Sequence, residues 1–244
     1  MACSERNYAV SFYVAEFFNS LSSAWIIVYA LIGMARDWHD EQRRFFFLLL
    51  AVAGCGSLAF HGTLHYVGQL ADELPMVYIA LTCFYCVWVA ERPRTDMHRA
   101  RMVTGLVVYA GVWSWIHAVG GYTTAFQVHF GVCLSLVYTR CFWNAMQPTC
   151  PPHVARLIHV SAATLGSGFI LWILDQQLCV HLHSLPASMP NPQLHAWWHV
   201  GLASGAFYAN HYFAALRATK SGFDVEMAGN FLLPRFTSVQ RHRP

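Results

Sequence analysis

Charged side chains are scarce in this sequence: they make up 11% of its 244 residues, against 56% hydrophobic. Soluble domains carry roughly a quarter charged residues, so a chain this apolar lacks the polar surface to cover itself in water, and lipid is the expected solvent. The net charge is only +3, and no nucleic-acid partner is expected. Paired CxxC zinc modules are missing, and the eight cysteines are not spaced as a dense secreted framework. The single CxxC, Cys83 with Cys86, lies in an apolar stretch where plain packing is the ordinary role. Internal repeats and low-complexity tracts are absent as well. A cleavable leader is not expected, since Met1 to Asn7 is polar and the first apolar run leads into others, and insertion is expected to rely on the first spanning helix.

Long apolar runs, by contrast, are abundant. Seven of them, near 17–34, 45–64, 74–90, 102–119, 122–143, 154–174 and 195–216, approach the roughly 20 residues that cross a bilayer. Pro148, Pro151 and Pro152 interrupt the chain before the sixth run, and Pro186, Pro190 and Pro192 before the seventh. The expected fold is an all-α integral membrane protein, a bundle of seven transmembrane helices. Orientation follows from the positive residues. Arg36, Arg43 and Arg44 fall in the first connection, and Arg92, Arg94, Arg99 and Arg101 in the third. Arg140 and Arg156 flank the fifth, and Arg217, Lys220, Arg235, Arg241 and Arg243 lie in the tail. Every Lys and Arg except Arg6 therefore lies on one side, which makes the amino terminus lumenal and the carboxyl terminus cytosolic. Three parts are expected: a lumenal segment 1–16, a catalytic membrane region 17–217 and a cytosolic tail 218–244.

The chemistry-bearing residues can then be placed by depth. In Leu194-His195-Ala196-Trp197-Trp198-His199, a helix puts His195 and His199 on one face, a turn apart. Two imidazoles are too few for a zinc site that does chemistry, which usually takes three protein ligands and leaves a position for water. His61 is the candidate third, because the second run reaches the lumenal side where the seventh begins. The other histidines read as solvated, surface or hydrogen-bonded core residues.

Ser57 lies one turn before His61 on the same face. It serves either as a donor to a developing oxyanion or as one of the small residues, with Gly54 and Gly56, that let helices approach closely. Asp72 is a candidate general base, and Asp72-Glu73-Leu74-Pro75 also reads as the start of the third helix with Asp72 as its cap. A carboxylate at Glu16, where an apolar span begins, needs a partner. It is either a hard-cation ligand together with Glu5 and Asn7, or hydrogen-bonded to a polar residue of another helix.

Several motifs resemble the alkaline ceramidase family: Asn7-Tyr8, Tyr13-Val14-Ala15-Glu16-Phe17, Gly56-Ser57 with Phe60-His61, Gln69 with Asp72-Glu73-Leu74-Pro75-Met76, and His195-Ala196-Trp197-Trp198-His199. Trp172, Asp175 and Cys179 fit the same pattern, and the resemblance runs from Asn7 to about Arg217. It implies a seven-helix zinc amidase of the endoplasmic reticulum or Golgi membrane that hydrolyses ceramide to a sphingoid base and a fatty acid, with its site toward the lumen. It also implies zinc on His61, His195 and His199, catalytic roles for Ser57 and Asp72, and calcium on Glu5, Asn7 and Glu16 with a carbonyl near Cys3. The chain departs from the pattern at Ala2, where an Asp is usual, so one calcium carboxylate is missing. The implied lumenal disulfide joins Cys179 to a cysteine at Ser4, a place that neighbouring Cys3 can take. Readings in other classes are a receptor-like seven-helix zinc protein that binds a lipid without turnover, an ion or zinc transporter, and a bis-His haem carrier.

Overall fold

The computed structural model describes residues 5–91, 95–185, 191–229 and 234–240. Among them the chain is almost wholly helical: α1 (Phe17–Arg36), α2 (Glu41–Thr63), α3 (Tyr66–Glu91), α4 (Asp96–Gly120), α5 (Thr123–Ala145), α6 (Pro152–Gln177), the single turn and a half α7 (Cys179–His183) and α8 (Leu194–Lys220). Five helices are long and apolar enough to cross a membrane, namely α1, α2, α3, α4 and α6. Helices α5 and α8 have the length, but His, Asn, Gln, Thr and Tyr dilute their apolar content. Exposure supports lipid as the solvent. Helix α4 buries only His117 while Val107, Val108, Val112, Trp115 and Val119 point outward, a surface that water would not tolerate. The chain is a multi-pass membrane protein.

Two short strands follow the last helix, in the expected tail 218–244. β1 (Phe223–Gly229) and β2 (Pro234–Gln240) pair antiparallel, Phe223 opposite Gln240 and Gly229 opposite Pro234.

By contacts the chain forms two compact units, Met1–Pro75 with Ala162–Phe207, and Met76–Ser161 with Tyr208–Pro244. In the first, small residues set the helix spacing. The Phe47 ring occupies the space a side chain at Gly33 would need, and Phe207 packs edge-on against Tyr29 at 5.1 Å. A Cβ at Gly56 would run into the Ala71 carbonyl. That carbonyl is the one Pro75, inside α3, cannot bond, since proline has no N–H to donate four residues back. Gly201 meets Gly168 and the Thr164 carbonyl in the same way. Helix α3 therefore begins at Tyr66, earlier than the Asp72–Pro75 start signal indicates, and Asp72 lies within the helix rather than capping it. In the second unit, half-buried and buried hydroxyls find partners across helices: Tyr78 and Ser114 at 2.6 Å, Tyr138 and Ser161 at 2.6 Å, and Tyr212 donating to the Cys141 carbonyl at 3.0 Å. Cys83 and Cys86 are buried thiols, outside any disulfide.

Candidate metal centre

The site lies wholly within the first unit and is built from the ends of three helices and the segment that precedes α1. Helix α2 delivers His61 just before it stops at Leu64, which closes the helix in the left-handed region with φ 57° and an N–H to Phe60. Helix α8 delivers His195 and His199 from its first two turns. The three side chains are buried, at 1%, 7% and 2% relative exposure, so this is an interior cluster and not three surface imidazoles. One ligand nitrogen from each lies within 4.8 Å of the others. Ring centroids form a nearly equilateral triangle with sides of 5.0, 5.1 and 4.9 Å, and the rings are steeply inclined to one another.

The outer nitrogens are largely held. Glu16 Oε2 sits 2.5 Å from His61 Nδ1 and also accepts from the Asn19 side-chain amide at 3.0 Å. Ser22 Oγ is 2.7 Å from His199 Nδ1. A carboxylate or hydroxyl on one ring nitrogen fixes the orientation and tautomer and leaves the other nitrogen to face an ion. His195 Nδ1 is buried with no hydrogen-bond partner among the described residues, an orphan that water or an ion would satisfy. Three buried imidazoles with nitrogens free to converge fit a metal ion, and imidazole nitrogen is a donor for zinc. Asp175, itself fully buried, faces the backbone N–H of His195 and so tethers the exposed donors at the α8 start.

Ser57 lies one turn from His61 and is buried. Its Oγ accepts from Ser23 at 3.0 Å, lies 3.4 Å from His199 Nε2 and faces the Asp72 carboxylate. Asp72 is half-buried beside the cluster. Both residues therefore stand next to the triad, Ser57 at His199 Nε2 and Asp72 beside Ser57.

The amino-terminal carboxylates behave differently. Glu5 is buried and accepts from the backbone N–H groups of Phe18 at 2.9 Å and Asn19 at 3.3 Å, capping α1. Burial pushes its carboxyl above the ordinary value, the N–H groups of Asn19 and Phe18 pull it back, and the nearby Glu16 carboxylate adds to the rise. Asn7 is exposed. Glu16 meets a polar residue of another helix, His61. Cys179 is disulfide-bonded; Cys3, Ser4 and Ala2 lie outside the described residues.

Asn19, Ser22 and Ser23 were not singled out by sequence. The signal was there: with Glu16 and Ser20 they form a polar stripe along the first turns of an otherwise apolar helix, and such a stripe in a membrane faces polar partners.

Fold and site together define a class, a multi-helix membrane protein with a buried three-histidine cluster able to hold a metal ion. Within that class the chain belongs to the ceramidase family, whose sequence model matches residues 2–235. It is 31% identical to an alkaline ceramidase of Arabidopsis thaliana over 228 residues, covering 91% of this chain and 85% of the relative. Alkaline ceramidase 3 of Mus musculus is 29% identical, covering 83% and 78%, and an alkaline ceramidase of Saccharomyces cerevisiae is 26% identical, covering 84% and 72%.

Proposed function

We propose that this protein hydrolyses the amide bond of ceramide, releasing a sphingoid base and a free fatty acid, with a zinc ion held by His61, His195 and His199. The observation that carries the reading is the buried triad with its outer nitrogens held by Glu16 and Ser22, in a chain of the ceramidase family. Zinc bound by three histidines acts as a Lewis acid and makes water a nucleophile near neutral pH.

The chain's own groups supply the remaining needs of amide hydrolysis. Asp72 takes the proton of the attacking water and passes it to the leaving nitrogen, which turns a poor leaving group into a neutral amine. The Ser57 hydroxyl donates to the carbonyl oxygen as it gains negative charge. Glu16 and Ser22 hold His61 and His199 in place, and Asp175 holds the start of α8. Apolar helix walls receive the acyl and sphingoid chains, so a lipid can enter sideways and present its amide to the polar layer.

The same reading takes the membrane region as 17–217 with seven spans, α5 and α8 joining the five most apolar helices, and the tail as 218–244. The segment 1–16 and the site face the lumen of the endoplasmic reticulum or Golgi, as the placing of every Lys and Arg but Arg6 on the other side supports. Calcium, where bound, draws on Glu5, Asn7 and Glu16.

Purified protein incubated with a mixed ceramide pool, read by lipid mass spectrometry, tests the proposal. Free sphingoid base and fatty acid in equal amounts are expected, and His61→Ala, His195→Ala and His199→Ala are each expected to abolish release. Zinc-loaded protein that yields no sphingoid base at any pH would instead be a receptor-like lipid binder.

A further inference from the structure

Two of the most exposed large side chains in the described structure are aromatic and adjacent: Phe12 at 93% and Tyr13 at 92% relative exposure. Tyr8 and Val10 stand out beside them. Exposure of this kind is ordinary in a frayed terminus, but this loop is pinned. Tyr8 N–H donates to the Ala15 carbonyl at 2.7 Å, which closes the loop on itself. Ala15 and Glu16 N–H groups donate to the Gly62 and His61 carbonyls at 3.0 and 2.9 Å, which ties it to the end of α2. The Arg6 guanidinium donates to the His183 carbonyl at 2.5 Å. The backbone thus presents the aromatic pair outward at a defined height.

That height is set by two spans. Helix α1 begins at Phe17, within four residues of Tyr13, and α2 ends at Thr63 beside Ala15 and Glu16. At about 3.5 Å per residue the pair stays within a headgroup layer of the span ends. Residues 7–15 carry no charged side chain, so attraction to an anionic surface is not the means of contact. A second copy of the chain fits poorly: a stable interface takes about 800 Å² per partner, and two aromatic side chains with their small neighbours supply roughly half of it.

From this geometry we infer that the loop of residues 8–13 is a membrane-insertion surface, with Phe12 and Tyr13 sunk into the boundary between headgroups and acyl chains of the leaflet on the histidine side. Tyr13, an apolar ring that ends in a hydroxyl, is a side chain of the kind that settles there, and Phe12 adds purely apolar area beside it. The loop leads through Ala15 and Glu16 directly to His61, so it also marks where a bilayer lipid is handed to the site. The inference rests on the membrane reading of the fold, and only the hand-over rests on the proposed hydrolysis.

Photocrosslinking separates the two. In lipid bilayer discs of phosphatidylcholine, Phe12→p-benzoyl-Phe and, separately, Tyr13→p-benzoyl-Phe are irradiated and the intact protein weighed. Adducts one phospholipid heavier are expected, in a yield that high salt leaves unchanged. Chain-to-chain adducts, or unreacted protein with no lipid adduct at either position, would overturn the insertion, whether or not the enzyme is active. For the hand-over, the double variant Phe12→Ser/Tyr13→Ser should raise KM for bilayer ceramide about fivefold or more. Its kcat, and its kinetics on a short-chain ceramide in detergent micelles, should stay as they are. Unchanged KM in the bilayer, or an equal rise in micelles, overturns that part.

Discussion

At the scale of single residues, the arrangement turns on which nitrogen of each imidazole is spoken for. Glu16 on His61 Nδ1 and Ser22 on His199 Nδ1 leave the other nitrogen of each ring to face an ion. Glu16→Gln keeps the shape but removes the charge, so zinc affinity should fall about 10- to 100-fold, read by competition with a chelator. Asp72→Asn should leave a folded, zinc-loaded protein whose turnover drops about 10²- to 10⁴-fold, the usual range for losing a general base. Full activity in that variant would place the base elsewhere. Much of this was legible in the chain. The four-residue spacing of His195 and His199 and the matching depth of His61 follow from helix periodicity and span order. The partners of Nδ1 were harder to read, because a serine in a membrane helix is ordinarily a packing residue and only three-dimensional placement shows that Ser22 meets a histidine.

At the scale of elements, glycine sets how closely the helices come. The side chain missing at Gly56 leaves room for the Ala71 carbonyl that Pro75 cannot bond, and this contact brings Asp72 alongside Ser57. Gly56→Ala should therefore lower stability by about 1–3 kcal/mol, seen as a fall in melting temperature in detergent, and should reduce activity with it. Gly105→Ala, with nothing within 4 Å of the added carbon, should be neutral or stabilising by up to about 1 kcal/mol. Long apolar runs made most helix ends readable, since run length reports span length. The start of α3 was misjudged because Asp-Glu-x-Pro is also how helices begin, and a proline tolerated inside a packed helix leaves no different mark. The α7 turn and the hairpin after α8 were too short to register as periodic patterns.

For the whole molecule, the asymmetry of Lys and Arg sets the expected topology. An engineered Asn-x-Thr glycosylation site added ahead of Glu5 should be glycosylated in microsomes, and the same site placed in the Phe223–Gly229 strand should not. The reverse pattern would turn the site toward the cytosol. An interior polar cluster in so apolar a chain costs stability unless something satisfies it, and one nitrogen from each of the three histidines lies close enough to the others to share an ion. Elemental analysis of the detergent-purified protein tests this most directly. One zinc per chain is predicted for the native protein, and well below one for His61→Ala, His195→Ala and His199→Ala alike. A native protein that releases sphingoid base without zinc, or a full zinc complement in all three variants, would contradict the three-histidine centre.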